Sequence, residues 1–286
     1  MNSKCLSLNQ ALRLGNKLLT ENSIENSSLD ARILLQKVSG FNHEELISKF
    51  DEEISMEQFN LYKDLIYRRI NFEPISQIVG KKEFYGREFN VNKHVLTPRA
   101  DSETIIEACL ELYLNKSKPL KILDLGVGSG CLLFTLLAEF PNSTGIGVDI
   151  SPEALEIAKS NSENLMLTSR ARLILNNWAD GIEEKFDIIV CNPPYIKNGD
   201  LSILDKDVSL YEPYQALFGG NDGLECYQKI APYISKLLNP SGFAIFECGQ
   251  FQHNDITDIF IKNNLNIYTY KNDLSGIVRC IIINLI

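Results

Sequence analysis

The sequence has 286 residues, which is long enough for one large domain and a smaller one. Hydrophobic residues make up 44% and charged residues 23%, a composition typical of a folded globular protein. Its formal net charge of -9 argues against stable binding to long nucleic acid, because such proteins usually present a basic face to the phosphates. The seven cysteines show no Cys-x-x-Cys spacing and the three histidines lie far apart, so we expect neither a disulfide framework nor a metal site.

Signals for membrane insertion and secretion are also missing from the sequence. The N-terminus carries no apolar core of a signal peptide, and no apolar run approaches the roughly 18 residues that a membrane span requires. Scattered cysteines of odd number fit a reducing compartment. We therefore expect a soluble, cytoplasmic protein without a membrane partner.

Residues 1–74 carry hydrophobic side chains at the spacing of amphipathic helices. The residues that we expect to cap these helices are Ser28, Asn42 with Glu45, and Ser55 with Gln58. The pattern predicts a small helical bundle as the first domain. A role limited to packing stays open for it at this point.

Residues 75–100 change character and are interpreted as a hairpin linker. Short strands are expected at residues 77–79 and 88–91, around two glycines, and a further helix is expected after Asp101.

From residue 120 onward, apolar strands alternate with helical stretches, which predicts a parallel, doubly wound α/β sheet in a second domain spanning residues 101–286. The expected strands cover residues 121–125, 144–150, 172–175, 186–191, 243–248, 266–270 and 278–284.

A glycine-rich segment, Asp-Leu-Gly-Val-Gly-Ser-Gly at residues 124–130, lies between the first of these strands and a helix. Glycines let the backbone turn tightly and approach a ligand closely. The spacing differs from the Gly-x-Gly-x-x-Gly of dinucleotide sites, and the Lys of a phosphate-binding loop is absent. A tight strand-to-helix turn without a ligand is the alternative interpretation.

Asp149 ends the next strand, where an acid can accept hydrogen bonds from both hydroxyls of a ribose. Because no cation lies in the glycine loop, a ligand with a ribose and no phosphate is indicated, and S-adenosylmethionine fits that description. The alternative is that Asp149 only caps the following helix.

The tetrapeptide Asn192-Pro193-Pro194-Tyr195 follows the fourth strand, at the edge where ligands of such sheets bind. Proline cannot donate a backbone hydrogen bond, and Pro194 holds Pro193 extended, so the Pro193 carbonyl is expected to be a rigid acceptor. The Asn192 side-chain oxygen is a second acceptor. Two fixed acceptors suit a planar NH2 group, on which Tyr195 could stack. A simple turn is the alternative.

Asn-Pro-Pro-Tyr at this place resembles the signature of class I methyltransferases that act on planar nitrogen, and further segments resemble the HemK-type release-factor glutamine methyltransferases. Those segments cover residues 83–86, 95–103, 187–191, 216–224, 239–242, 247–250 and 273–276, together with Arg279. The resemblance extends over nearly the whole chain, including the helical N-terminal region.

The resemblance implies a class I methyltransferase fold with a seven-stranded sheet, a small N-terminal domain that helps to hold a protein substrate, and S-adenosylmethionine as cofactor. It implies that translation release factors are the partners and that the glutamine of their Gly-Gly-Gln loop is methylated. The residues that it assigns to cofactor binding are Gly126, Val127, Gly128, Ser129, Gly130, Asp149, Trp178 and Asn192. It assigns Asn192, Pro193, Pro194 and Tyr195 to the substrate glutamine.

Three positions depart from the family pattern, and none lies in the tetrapeptide. Asn177 stands where an acid is common, which would weaken one contact to the adenine, and Val127 and Ala100 replace a frequent Thr and Pro. Trp178 is expected beside the adenine, the alternative being an ordinary core or surface indole.

Three other functions remain alternatives at this level. A ribosomal-protein glutamine methyltransferase shares the tetrapeptide, as does an enzyme that methylates the amino group of adenine or cytosine after base extrusion. A module that binds the cofactor without catalysis is the non-enzymatic alternative.

Overall fold

The computed structural model describes residues 6–286 and divides into two compact units. The helical unit comprises the chain through Gly80 together with Asp205–Tyr211, and the sheet unit comprises Lys81–Leu204 and Glu212–Ile286. Within the described residues no helix is long and apolar enough to cross a membrane.

The regular elements are named here in chain order. The α-helices are α1 Leu8–Glu21, α2 Ser27–Ser39, α3 His43–Ser48, α4 Met56–Ile70, α5 Ile75–Val79, α6 Glu103–Leu112, α7 Cys131–Glu139, α8 Pro152–Asn164, α9 Lys206–Tyr211, α10 Tyr214–Leu217, α11 Glu225–Leu237 and α12 His253–Lys262. The strands are β1 Lys81–Phe84, β2 Arg87–Asn90, β3 Lys121–Leu125, β4 Thr144–Asp149, β5 Ala171–Leu175, β6 Phe186–Cys191, β7 Leu238–Glu247, β8 Leu265–Asn272 and β9 Val278–Leu285. Short 3-10 turns cover Ala100–Ser102 and Asn198–Ile203.

Helices α1 to α5 form the predicted bundle around a core in which Leu19, Leu34 and Tyr62 are almost fully buried. The capping boxes of Asn42 with Glu45 and of Ser55 with Gln58 are confirmed, and each satisfies two backbone donors at a helix start. The prediction of Ser28 as a cap is wrong, because α2 begins at Ser27 and Ser28 lies inside the helix. The capping position is Asn26, whose side chain makes no capping hydrogen bond.

Helix α9 belongs to this helical unit although it lies far along the chain. The Lys206 ammonium lies 4.4 Å from the centroid of the Phe72 ring, and the Tyr211 hydroxyl donates to the Asn71 carbonyl at 2.9 Å. The Gln77 amide in turn donates to the Tyr211 carbonyl at 3.2 Å. These contacts hold both ends of the inserted helix.

The strand expected at residues 77–79 is wrong, because these residues are the end of helix α5. Pro74 supplies the preset φ that favours a helix start, and Gly80 ends the helix in the left-handed region with φ 83°. Proline and glycine at the two ends outweigh the β propensity of Ile78 and Val79. The second expected strand is confirmed as β2, which pairs antiparallel with β1.

The sheet unit contains the predicted seven-stranded sheet, with strand order β5-β4-β3-β6-β7-β9-β8. Strands β3 to β7 pair in parallel, whereas β9 runs antiparallel to both its neighbours, which the sequence pattern did not predict. A tight turn explains the reversal: the Asp273 amide donates to the Ile277 carbonyl, and Gly276 has φ 79°. A connection this short can join only antiparallel strands.

Two hydrophobic cores cover the two faces of this sheet. Ile122 and Ile188 point into the core formed with α6, α7 and α8, whereas their chain neighbours Leu123 and Ile189 point into the core formed with α11 and α12. Because alternate residues of a strand face opposite sides, burial on both faces requires an uninterrupted apolar run. This explains why the strands could be located from the sequence.

The strand order brings the chemical motifs to one edge of the sheet. Strand β3 lies between β4 and β6, and Leu125 is aligned with Val148 on one side and Cys191 on the other. The loops that follow these strands therefore begin side by side. This is the switch point of a doubly wound sheet, where ligands bind.

Candidate active site

A cavity of about 590 Å³ opens at this edge of the sheet unit. Its volume is in the range of small-molecule sites. Of the residues predicted from the sequence, its wall includes Gly126, Val127, Gly128, Ser129, Asp149, Trp178, Asn192 and Pro194. Gly130, Pro193 and Tyr195 lie outside the wall.

The glycine loop presents bare backbone to the cavity. Gly126 and Gly128 have φ of 81° and 52°, and the amides of Gly126 and Val127 both donate to the Val148 carbonyl of the neighbouring strand. Gly130 caps α7, and a Cβ there would come within 2.1 Å of the Phe134 ring. The sequence of the loop is therefore required by its own turn as well as by any ligand.

Asp149 is held in place by the backbone on both sides. Its Oδ2 accepts from the Gly128 amide at 2.9 Å and its Oδ1 from the Ser151 amide at 3.0 Å. The cap of α8 is Ser151, whose hydroxyl accepts from the Ala154 amide at 3.1 Å. The carboxylate retains lone pairs and lies on the cavity wall.

Trp178 is a half-buried wall residue, with its backbone in the left-handed region at φ 52°. A Cβ added to Gly126 would lie 3.6 Å from its ring, so the indole lies beside the start of the glycine loop. Asn177, at the position where the family commonly has an acid, also lies on the wall.

The Asn192 side chain begins a buried chain of hydrogen bonds. Its Nδ2 donates to the Ser102 hydroxyl at 2.9 Å, and that hydroxyl lies 2.5 Å from Glu247 Oε2, to which it donates. The Tyr195 hydroxyl donates to the other oxygen, Glu247 Oε1, at 3.3 Å. One carboxyl group therefore receives hydrogen bonds connected to both ends of the tetrapeptide.

Backbone contacts anchor the rest of the tetrapeptide loop. The Gln252 amide donates to the Tyr195 carbonyl at 2.9 Å, and the Ile196 amide donates to the Leu217 carbonyl at 3.0 Å. Pro193 is buried and Pro194 is partly exposed on the wall. These contacts fix the loop after the two prolines, and the hydrogen bond of Asn192 to Ser102 fixes it before them.

Burial shifts two acidic groups near the cavity. Desolvation raises the pKa of Glu247 to about 7, against the opposing effect of the hydrogen bonds from Ser102 and Tyr195. Desolvation likewise raises the pKa of Asp124 to about 7, and the one hydrogen bond that it accepts, from the Leu133 amide, lowers it less. Perturbed acids in a cleft are typical of functional sites.

Comparison with known protein families gives a separate match for the helical region and for the sheet region of the chain. Residues 10–80 match the family described as PrmC N-terminal domain, and residues 116–265 match the family described as Methyltransferase domain. The release factor glutamine methyltransferase of Caulobacter vibrioides is 38% identical over 89% of this chain and 88% of its own length. The chain belongs to the release factor glutamine methyltransferase family.

Another member, from Rhodospirillum rubrum, is 37% identical over 91% of this chain and 79% of its own length. The chain spans only 58% of the length of a relative called Bifunctional methyltransferase from Rickettsia felis, to which it is 38% identical. Among solved structures, the hMettl16 catalytic domain in complex with a MAT2A 3'UTR hairpin has a TM-score of 0.61 at 14% identity, covering 76% of this chain and 84% of that one. This likeness shows the class I methyltransferase fold alone.

The cavity fits the ligand that the family implies. Bare backbone, an anchored carboxylate and an indole suit a nucleoside without phosphate. Of the three basic residues on the described wall, Arg99 pairs with Glu212 at 2.6 Å and Lys229 pairs with Glu225 at 3.7 Å, and the third is His94. Among the described residues no group of three or more His, Cys, Asp or Glu side chains could hold a metal ion.

Ser102 and Glu247 were not singled out as site residues from the sequence. Both occur in segments that resemble the family, yet neither motif spacing nor local pattern connects them to Asn192. One signal was available: an acid directly follows the apolar run of residues 243–246, at the same strand end that Asn192 occupies on β6.

Proposed function

We propose that this protein transfers the methyl group of S-adenosylmethionine to the side-chain amide nitrogen of the glutamine in the Gly-Gly-Gln loop of translation release factors. The observation that carries the proposal is the anchored Asn192 amide, which lies on the wall of the same cavity as the glycine loop and Asp149. The relatives called release factor glutamine methyltransferase support the choice of substrate.

The cofactor would lie along the glycine loop. Asp149 would accept hydrogen bonds from the ribose hydroxyls, and Trp178 would contact the adenine, since both line the cavity on the side of Gly126. The cofactor supplies a methyl group on a sulfonium, which is already activated for transfer. The remaining difficulty is the nucleophile, because an amide nitrogen shares its lone pair with its carbonyl.

Asn192, on the cavity wall, would address that difficulty by orientation, together with the Pro193 carbonyl, the second acceptor that the family resemblance implies although Pro193 itself does not line the cavity. Two acceptors hold the two N–H bonds of the glutamine amide, so that the nitrogen lies in line for displacement. Such positioning can contribute about 7–11 kcal/mol to lowering a barrier. The same acceptors stabilise the positive charge that grows on the nitrogen in the transition state. The resulting N-methylated amide cation is strongly acidic, so water can take its proton.

The helical unit would supply a second contact with the release factor, in addition to the contact at the cavity. Two linked contacts raise the affinity for a whole factor above that for a short peptide. A glutamine flanked by two glycines is accessible to a narrow pocket, because glycine adds no side chain around it.

Methylation assays with three substrate classes test the proposal. The protein is incubated with labelled S-adenosylmethionine and intact release factor, ribosomal proteins or RNA, and the mark is mapped by mass spectrometry. We expect a methyl group on the glutamine of Gly-Gly-Gln, none on a factor with that glutamine changed to glutamate, and a higher KM for a Gly-Gly-Gln peptide. A mark only on a ribosomal protein or only on RNA would assign the enzyme to that other substrate.

A further inference from the structure

We propose that Ser102 and Glu247 are positioning residues that hold the Asn192 amide with its oxygen, and not its NH2 group, toward the substrate nitrogen. This inference rests on the proposed function, in which Asn192 accepts a hydrogen bond from the glutamine amide. Neither residue touches the reacting atoms in this scheme. They act through Asn192.

The orientation of an asparagine amide decides its chemistry. The oxygen and the NH2 group are similar in size but opposite in hydrogen bonding, since the oxygen only accepts and the nitrogen only donates. A half-turn of the Asn192 amide would present a donor to the substrate NH2 group, which is itself a donor. The site would keep its shape and lose its acceptor.

The Ser102 hydroxyl determines which half of the amide faces it. A serine hydroxyl has one proton to donate, and here it is directed to Glu247 Oε2 at 2.5 Å. The hydroxyl can then only accept from Asn192, which requires Nδ2 on that side, 2.9 Å away. The amide oxygen is left on the other side. Ser102 and Asn192 both line the cavity.

The Glu247 carboxylate sets the direction of the whole chain of hydrogen bonds. An ionised carboxylate only accepts, so it holds the Ser102 proton toward itself and also accepts from the Tyr195 hydroxyl. Glu247 is 1% exposed and Ser102 is 2% exposed, so water cannot easily replace either partner. A protonated Glu247 could instead donate to Ser102, which would allow the chain to reverse.

The sheet explains how residues so distant in sequence meet. Phe246 of β7 is aligned with Cys191 of β6, so the residues that follow them, Glu247 and Asn192, lie at the same level of adjacent strands. Ser102 closes the gap from the start of α6. The arrangement follows from strand register and helix packing together.

Other ionisable groups surround Glu247, and they fall into two sets. Asp101 raises the pKa of Glu247 and Arg279 lowers it, the two being paired with each other at 3.0 Å. The neighbouring groups whose pKa is itself raised, so that they stay neutral at moderate pH, are Cys131, Cys191, Tyr195, Tyr227, Cys248 and Cys280. Among these groups Glu247 is therefore the one that can change charge near pH 7, and Asp124, which acts on Cys131 and Cys191 and whose pKa burial also raises to about 7, is the other such acid of this region.

Kinetics of Ser102→Ala and Glu247→Gln in the full chain test the inference. We expect kcat for release factor to fall roughly 10- to 100-fold, the size of effect that a misplaced group produces, while the Kd for S-adenosylhomocysteine stays within about twofold. Ser102→Thr, which keeps the hydroxyl, should restore most of kcat. Ser162→Ala is the matched control, because it removes another buried hydroxyl outside the cavity, and it should leave kcat unchanged.

A second measurement is independent of any substrate. The side-chain NH2 signal of Asn192 is identified in 15N-labelled protein by its absence in Asn192→Ala, and its exchange with water is followed. We expect slow exchange in the wild type and faster exchange in Ser102→Ala, because the acceptor for Nδ2 is gone. Equal exchange would overturn the inference, as would kcat within twofold of wild type in both variants. A wild type with slow exchange and no activity on release factor would instead refute the proposed function alone.

Discussion

The Asp149 carboxylate accepts a 2.9 Å hydrogen bond from the backbone amide of Gly128, which lies 21 positions earlier in the chain. The acid is thus part of the glycine loop's own structure, in addition to any role toward a ribose. A change at Asp149 consequently affects both the shape of the loop and the ligand that it holds.

Asp149→Ala should weaken binding of S-adenosylhomocysteine by roughly 1.5–3 kcal/mol for each hydrogen bond to the carboxylate that is lost. Asp149→Asn should cost less, because an amide oxygen can still accept one bond. Isothermal titration calorimetry measures both, with Asp258→Ala in α12 as the control for loss of an exposed acid. Unchanged affinity in Asp149→Ala would remove this residue from the site.

Asn192→Ala should fold and still bind the cofactor, yet lose about 100-fold or more in turnover, which is typical for one preorganised polar group. The reason is that one of two acceptors for the substrate amide is gone. Turnover on release factor and calorimetry with S-adenosylhomocysteine separate catalysis from binding. Near-normal turnover would contradict the mechanism proposed here.

Turnover should rise with pH through the pKa of Glu247, about 7, because the ionised carboxylate holds the Ser102 proton. Initial rates at saturating substrate from pH 5.5 to 8.5 measure this rise in turnover. In Glu247→Gln the rise should be absent, and the maximal turnover should also be lower. A rise of the same midpoint and size in that variant would show that another group controls it.

Stability should follow pH in the opposite direction. Burial raises the pKa of Glu247 and of Asp124 to about 7, from 4.5 and 3.8, so between those values and 7 the folded state binds more protons than the unfolded state. The free energy of unfolding must then fall as pH rises across this interval. Urea unfolding at several pH values should show that the free energy of unfolding falls less steeply with pH in Glu247→Gln. The decrease that remains in this variant is expected from Asp124.

Asn161 should prove important for both stability and cofactor affinity. Its fully buried amide donates to the Asn90 carbonyl at 3.0 Å and the Ser129 carbonyl at 2.9 Å, and accepts from the Asn90 amide at 2.7 Å. Asn161→Ala leaves these backbone groups unpaired, at about 1–3 kcal/mol each. We expect a lower free energy of unfolding and a higher Kd for S-adenosylhomocysteine. The exposed Asn164→Ala on the same helix should change neither.

The meeting of the glycine loop, Asp149 and Asn192 at one cavity could be predicted from the sequence, because these parts follow strands that are buried on both faces. Strand β3 covers the predicted residues 121–125, and the loops after three adjacent strands had to meet once the strand order was that of a doubly wound sheet. The residues that hold Asn192 could not be found this way. Ser102 and Glu247 are 145 positions apart, and their contact depends on the register between β6 and β7 and on the packing of α6.

The strand predicted from β propensity at residues 77–79 was wrong because the residues on either side of it favour a helix. Ile78 and Val79 favour a strand, but the preceding Pro74 and following Gly80 enclose a helical turn. The direction of β9 was decided by the turn at Asp273, whose carboxylate accepts from the amides of Ser275 and Ile277. Both flanking strands were located from the sequence, at residues 266–270 and 278–284, so the short connection between them was an available signal for an antiparallel pair.

Because α9 belongs to the helical unit, the two units cannot be exchanged between related proteins by a single crossover in the chain. The backbone passes from one unit to the other after Gly80, again after Leu204 and again after Tyr211. A single proteolytic cut after Gly80 would therefore leave two fragments that each retain part of the helical unit. A chain beginning at Lys81 would still carry α9, deprived of Phe72 and Asn71. Recombination within the family should accordingly favour joint inheritance of residues 1–80 and 205–211, and chimaeras that mix them should lose stability.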